Sequence, residues 1–377
     1  MWKVQLFKLN YDERELAAVT EVVKSGWITM GEKTKEFEAR FADFLGGVSA
    51  VAVTNGTAAL HLALLALGVG PGDEVIVPAL TFVADLNTVK MVGATPILAD
   101  CTSLEDWNIN PADIEKKITA ATRAVMIVHY AGYPCDMDAI PALCEKYKLP
   151  LIEDCAHAPG ARYRGKAVGA FGEVGCFSFF TNKNLSVGEG GMVVTSNPAI
   201  AQEIRYLRSH GMTTLTLDRH EGRALTYDVV RPGLNYRIDE IRAALGMVQL
   251  EKLPNAHLLR KQLIERYIVE LCGYKGLSLP FHKTRSEVEP VYHIFPVLLP
   301  DGVDRNQVVG CLKEQGVQAS IHYPAMQDFT AYHNVLGHDT PIANEISQRE
   351  LTLPLFPTMT NEQQVTVIRA MKAALGG

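Results

Sequence analysis

Several classes of protein are excluded by what this chain lacks. No apolar stretch is long enough to span a bilayer: the longest, Ala58 to Val69, is interrupted by His61, whereas a spanning helix needs about 20 predominantly apolar residues. The opening residues, Met-Trp-Lys-Val-Gln-Leu-Phe-Lys, carry no sustained apolar core of the kind a secretory signal requires. There is no basic run, and 36 Lys and Arg against 42 Asp and Glu give a formal charge of −6. That balance argues against nucleic acid or an anionic membrane as the main partner. The seven cysteines (101, 135, 144, 155, 176, 272 and 311) form no CxxC pair, so reduced thiols in a cytoplasmic protein are expected and disulfides are not. Eleven histidines show neither HExxH nor any other paired ligand spacing, so no metal site is expected. Internal repeats and low-complexity tracts are also missing.

What is present is an ordinary globular composition, 47% hydrophobic and 21% charged over 377 residues. That is ample for one large domain and a smaller one. Asp12 to Lys24 has helical spacing and stops at Ser25-Gly26; Gly31 to Leu45 resumes a helix with Phe37, Phe41 and Leu45 on one stripe. Val51 to Thr54 reads as a strand running into Asn55-Gly56-Thr57, after which Ala58 to Leu67 is helical. Strands at Glu74–Pro78, Pro96–Ala99, Ala124–His129 and Leu151–Asp154 then alternate with helices at Pro111–Ile118 and Met137–Tyr147. This alternation implies an α/β fold whose mostly parallel sheet is covered on both faces, with ligands at the carboxyl ends of its strands. Asp239 to Leu253 is a strong helix, and Pro254 is expected to separate it from another that reaches Leu271. The remainder mixes short strands (Tyr292–Leu299, Gln318–Tyr323) with helices at Arg305–Gln315 and Asn361–Ala374. The division expected is a large domain over 1–252 and a small α+β domain over 253–377.

Chemistry concentrates at a few junctions. Gly175-Cys-Phe-Ser-Phe-Phe and Met192-Val-Val-Thr-Ser read as buried strands, and the polar, glycine-rich span between them carries Lys183. A lysine at such a sheet edge can lose its charge, and a neutral amine forms Schiff bases with carbonyls. Asn55-Gly56-Thr57 starts a helix, where unpaired N–H groups at the positive end of the dipole suit a phosphate; plain N-capping explains the same residues. Phe82 lies just beyond a strand's carboxyl end, where it can stack on a flat ligand or simply fill the core. Asp154 ends a strand, where a carboxylate can keep an aromatic ring nitrogen protonated or cap the next turn. His157, three residues on, can reach the same ligand. A carbonyl-capturing amine, a pyridinium partner, a ring stacker and a phosphate turn are what pyridoxal phosphate needs.

With those residues in hand, the sequence resembles the DegT/DnrJ family of pyridoxal-phosphate sugar aminotransferases nearly from end to end. Ser25-Gly-Trp-Ile-Thr-Met-Gly is similar to the family's amino-terminal loop, with Met30 and Glu32 in place of a hydroxyl residue and a proline. Thr54-Asn-Gly-Thr-Ala-Ala-Leu resembles its phosphate turn, Pro78-Ala-Leu-Thr-Phe-Val-Ala its ring-stacking segment, and Glu153-Asp-Cys-Ala-His-Ala its aspartate motif. Ser178-Phe-Phe-Thr-Asn-Lys-Asn followed by Gly188-Glu-Gly-Gly resembles the Schiff-base segment, and Gly233-Leu-Asn-Tyr-Arg a loop that reaches the neighbouring subunit. Thr181-Asn182 stands where many relatives have a proline and a small residue.

The resemblance implies fold type I, the aspartate-aminotransferase architecture, with a large mixed-sheet domain and a smaller carboxyl-terminal one. It implies pyridoxal 5'-phosphate bound covalently as an internal aldimine on Lys183, with Gly56, Thr57, Phe82, Asp154, His157 and Ser178 around it and Asn235 serving the partner's phosphate in a homodimer. Relatives that dehydrate sugars carry histidine at the lysine position, so Lys183 implies transamination. The donor implied is glutamate or glutamine and the acceptor a keto sugar on a nucleotide; Lys183 also moves protons. Thr29, Arg237, His322 and Tyr323 are candidate substrate contacts. A keto-cyclitol acceptor shares every motif, and a non-catalytic regulator on the same fold is a further alternative.

Overall fold

The computed structural model describes residues 2–283, 285–337 and 339–376. Its first helix, α1 (Glu13–Ser25), opens with a capping box between Asp12 and Glu15 and ends at Gly26, whose φ of 74° lies in the left-handed region open to glycine. After α2 (Glu32–Phe44) the chain alternates: β1 (Ser49–Val53), α3 (Gly56–Ala66), β2 (Glu74–Pro78), α4 (Ala84–Met91), β3 (Thr95–Ala99), α5 (Pro111–Lys117), β4 (Thr122–Val128), α6 (Ala139–Tyr147) and β5 (Leu151–Asp154). A ribbon of β6 (Arg162–Tyr163) and β7 (Lys166–Ala167) precedes β8 (Val174–Ser178) and β9 (Gly191–Thr195). The main sheet has seven strands in the order β1-β9-β8-β5-β4-β2-β3. Pairing from β8 through β5, β4 and β2 to β3 is parallel; β9 runs antiparallel to both neighbours. The architecture is the expected mostly parallel α/β sheet.

Strand periodicity explains how this sheet presents a site. Successive side chains of β8 point to opposite faces. Phe177 and Phe179 enter a cluster with Phe37 and Phe41 of α2, with ring centroids 5.0 Å apart for Phe41 and Phe177 and 5.5 Å for Phe37 and Phe179. Cys176 packs on the other face, against α3 and its neighbours. Ser178 shares that face and opens onto the cavity described below. Each fully buried phenylalanine contributes roughly 1.5–3 kcal/mol, so the α2 stripe holds the strand in register.

Beyond β9 come α7 (Pro198–Arg208), α8 (Thr216–His220) and α9 (Glu240–Leu271). The break expected at Pro254 is not there: α9 runs through it without interruption. An interior proline costs about 3 kcal/mol or more. The helix carries that cost because both halves are packed, Leu250 and Leu253 on the Phe37 cluster, and Leu263, Ile264, Tyr267 and Leu271 on a second core with Val297, Leu353 and Val367. The last part of the chain contributes β10 (Val288–Glu289), β11 (Phe295–Leu298), α10 (Arg305–Glu314), α11 (Pro341–Arg349), β12 (Glu350–Leu353) and α12 (Asn361–Ala374). Two expected strands change. Tyr292–Leu299 shortens to β11, because the N–H groups of Val291 and His293 bond instead to the carbonyls of Gly132 and Ala131 at 3.0 and 2.8 Å. Gln318–Tyr323 forms no strand; Ser320 only bridges Thr352. Among the described residues no helix is long and apolar enough to cross a membrane.

Candidate active site

The strands β1, β2, β4, β5 and β8 all deliver their carboxyl ends to one cavity of about 420 Å³, where the topology of an open α/β sheet places ligands. Its floor begins at the start of α3. The Asn55 side chain accepts from the Ala58 N–H at 2.8 Å, while the N–H groups of Gly56 and Thr57, in the first turn, have no acceptor within the helix. A side chain at Gly56 would collide with Ser178: an added Cβ would lie 2.8 Å from the Ser178 Cβ and 3.2 Å from its Oγ. The missing Cβ brings a helix N-terminus and a hydroxyl together in one anion-ready notch.

Phe82 lines the same cavity and is 55% exposed, so it is not a core filler. Opposite, Asp154 ends β5 and is buried, its Oδ1 accepting from the Ala156 N–H at 2.8 Å. Burial pushes its carboxyl up, while the Ala156 N–H and the Lys183 ammonium pull it back.

His157 is buried and held in one tautomer. The Ala131 N–H reaches its Nδ1 at 3.3 Å, and the Tyr323 oxygen lies 2.9 Å from its Nε2. Burial and the nearby Lys183 charge keep the ring neutral, well below the usual histidine range. With Nδ1 an acceptor, Nε2 carries the proton and donates it to Tyr323. The Tyr323 O–H is then free to donate elsewhere.

Lys183 enters from the loop between β8 and β9, its N–H bonded to the Phe180 carbonyl at 2.8 Å. The loop is closed by the Thr181 hydroxyl on the Gly188 carbonyl at 3.2 Å, which gives Thr181 a structural task. The next residue, Asn182, lines the cavity with a buried Oδ1 that has no partner. The lysine side chain is half-buried, and burial lowers its amine from 10.5 to about 8, partly offset by Asp154.

His322 and Tyr323 complete the wall. The Thr352 hydroxyl donates to Glu350 Oε1 at 2.5 Å, the His322 Nδ1 lies 3.0 Å from Thr352 Oγ1, and the His322 N–H reaches Glu350 Oε2 at 2.8 Å. Burial lowers His322 to about 4 and raises Glu350 to about 7. The neutral imidazole therefore donates through Nδ1 and turns Nε2 into an acceptor.

Of the residues picked out by sequence, Gly56, Thr57, Phe82, Asp154, His157, Ser178, Lys183, His322 and Tyr323 converge here, whereas Thr29, Asn235 and Arg237 do not line this cavity. Thr29 is exposed in a turn whose end is tied to Glu240. Asn235 is exposed because its neighbours Leu234 and Tyr236 bond to Leu207 and Arg208 at the end of α7. Arg237 is half-buried with an unpartnered Nη1. Sequence reasoning passed over Asp85, Thr81, Glu350 and His293; the last packs its ring 4.4 Å from His157. Thr81 precedes the N-cap of α4, so no helical spacing pointed to its pairing with Asp85.

Among the described residues one group of metal-ligand types converges, His129, Glu153 and Cys155. Its carboxylate is already saturated by the N–H groups of Gly169, Phe171 and Gly172 and by His129. It is best described as a buried brace beneath Asp154.

The whole architecture recurs in solved enzymes. The chain is similar to the aminotransferase TlmJ of Streptoalloteichus hindustanus, at 34% identity and a TM-score of 0.91 over 100% of this chain and 99% of that one. It is equally similar to DesV of S. venezuelae, solved in complex with a ketimine intermediate, at 34% identity and a TM-score of 0.91 over 100% of both chains. Fold and cavity together are those of an aminotransferase. Residues 10–372 match the DegT/DnrJ/EryC1/StrS aminotransferase family, and the chain belongs to it. It is also 36% identical over 373 residues to MJ1066 of Methanocaldococcus jannaschii, an uncharacterized protein, covering 97% of this chain and 96% of that one.

Proposed function

We propose that the cavity holds pyridoxal phosphate on Lys183 and that the enzyme moves an amino group from glutamate or glutamine to a keto sugar carried on a nucleotide. The product would be an amino sugar for surface glycan or natural-product biosynthesis. The observation that carries this reading is the Lys183 amine, half-buried, lowered to about 8, and sharing one cavity with Asp154 and the Gly56–Ser178 notch.

When bound, the cofactor supplies an electron-withdrawing ring that spreads negative charge developing on a substrate carbon. Each residue task follows from position. The N–H groups of Gly56 and Thr57 and the Ser178 hydroxyl would hold the phosphate, Phe82 would stack on the ring, and Asp154 would keep the ring nitrogen protonated. His157, neutral and fixed by Ala131, would flank the ring, and its bond to Tyr323 orients that hydroxyl toward the cavity. An amine with pKa near 8 is matched to general acid and base work, so Lys183 can take and return a proton.

The remaining parts of the proposal concern assembly. The enzyme acts as a cytoplasmic homodimer in which Asn235, exposed and outside its own cavity, serves the phosphate of the other copy. A division into 1–252 and 253–377 has the first part holding the cofactor and the second bringing His322 and Tyr323 over it.

Borohydride reduction followed by peptide mapping tests the core of the reading. The yellow protein should bleach and carry the label on Lys183. A colourless protein that takes up no pyridoxal phosphate, or a label on another lysine, defeats it. The substrate half is tested by single-turnover loss of the amino-cofactor band against nucleotide keto sugars; reaction only with a free keto-cyclitol refutes it.

A further inference from the structure

Asp85 has no place in the chemistry so far, and its surroundings are unusual. It lies in the first turn of α4, fully buried. The Thr81 hydroxyl donates to its Oδ2 at 2.5 Å. Its Oδ1 is sealed from solvent and meets no donor. The carboxyl beside it is that of Asp154, and each shifts the other's proton affinity through a side-chain hydrogen bond. Two buried acid side chains are therefore neighbours, and neither can donate to the other if both are ionised.

The remaining neighbours do not relieve the conflict. The Cys176 thiol of β8 and the Tyr323 phenol lie near the pair; both are held neutral by burial, and the Tyr323 oxygen is paired with His157, not with either carboxyl. Lys183 acts on Asp154. The α4 N-terminus favours an anion at Asp85 by up to about 2 kcal/mol. An uncompensated buried charge costs several kcal/mol. One proton must be shared, and the geometry says where. Asp154 has the Ala156 N–H and Lys183 to support its charge; Asp85 has only Thr81, and that donor occupies Oδ2. The proton belongs on the orphaned Oδ1.

We propose that Asp85 is a positioning residue for Asp154: it keeps its own proton and donates through Oδ1 to the Asp154 carboxylate. This rests on the reading that the cavity binds pyridoxal phosphate, because its consequence is for the ring. A carboxylate that receives a hydrogen bond is a weaker base, so Asp154 competes less for the proton on the ring nitrogen and remains the anion that stabilises it. Burial raises the Asp85 carboxyl well above its ordinary range, which agrees with this assignment.

Asn is close in shape to a protonated aspartate and offers the same pair of groups, an oxygen for Thr81 and an N–H for Asp154. Infrared spectra of the cofactor-free protein at neutral pH should contain a protonated-carboxyl C=O band that is lost in Asp85→Asn. If the wild-type and Asp85→Asn spectra are the same in that region, the proposal is overturned. Protein loaded with ¹⁵N-labelled pyridoxal phosphate gives the second readout, the chemical shift of the ring nitrogen. The proposal expects Asp85→Asn to match wild type and Asp85→Ala to move toward the unprotonated value. Asp85→Asn displaced as far as Asp85→Ala, or neither displaced, overturns it. A protein that takes up no pyridoxal phosphate would refute the cofactor reading, while the infrared comparison would still decide Asp85.

Discussion

Replacing Lys183 by methionine should make the cofactor-free protein more stable. The native fold holds this amine where burial lowers its pKa from 10.5 to about 8. At about 1.4 kcal/mol per pH unit, keeping it charged in the fold costs about 3 kcal/mol. The sign follows from proton binding. Between pH 8 and 10.5 the unfolded chain holds a proton that the folded chain has released, so stability rises with pH across that window. Below it both states are protonated and the fold bears the whole cost; above it neither is. Lys183→Met, near in length and uncharged, should therefore gain about 3 kcal/mol at pH 7 and about 1 kcal/mol or less at pH 10. Urea unfolding of the two cofactor-free proteins, followed by tryptophan fluorescence at both pH values, measures this. A variant no more stable than wild type at pH 7, or equally advantaged at both, would refute the argument that the site holds its lysine under desolvation.

Two further outcomes follow from the same geometry. Glu350 is raised from 4.5 to about 7, so the folded state binds more protons than the unfolded one between those values and stability falls as pH rises through them; Glu350→Gln should be more stable than wild type at pH 8, by at most about 3 kcal/mol, with no such gain at pH 4.5, and equal pH profiles would contradict it. Gly56→Ala puts a Cβ 2.8 Å from that of Ser178, an overpacking of about 1–3 kcal/mol, so the Kd for pyridoxal phosphate in a fluorescence titration should rise roughly tenfold or more, and an unchanged Kd would speak against the notch.

The fold was legible wherever local pattern and tertiary packing agreed. The run Gly175 to Phe180 was readable as a buried strand, but both faces of β8 are buried, Cys176 in one cluster and Phe177 in another, so the face that opens on the cavity through Ser178 was not. Lys183 stood out because it interrupts two apolar strands, and Asp154 because it ends one. Pro254 was misread since its local cost is visible in sequence while the two cores that outweigh it are built by residues far along the chain. Tyr323 could be suspected from the sequence, but its contact with His157 spans 166 positions, and nothing local encodes it. Asp85 was invisible for a different reason. An acid in the first turn of a helix looks like ordinary dipole compensation, and only the position of Asp154 shows that its charge would be unwelcome.

The cavity keeps few charges. Lys183 is lowered toward neutrality, Glu350 is raised toward it, His157 and His322 are neutral, and Asp85 holds its proton under the assignment above. Asp154 is the buried anion of the wall. In a low-dielectric site each surviving charge acts more strongly, so neutralising the neighbours concentrates the field where a ring nitrogen would sit. The same economy limits what else the cavity can bind unaided. Among the described residues its wall contains no arginine and no lysine besides Lys183, and Glu189 stands at its rim. A nucleotide diphosphate brought here would need cations from beyond that wall. Arg237 offers an unpartnered Nη1 that its own cavity does not use, and Asn235 beside it is exposed. The anionic substrate and the shared-site homodimer proposed above are therefore linked: the Arg237 Nη1 is buried within its own chain, and if no second copy brings cations to this cavity, a nucleotide diphosphate has no counter-charge there besides Lys183.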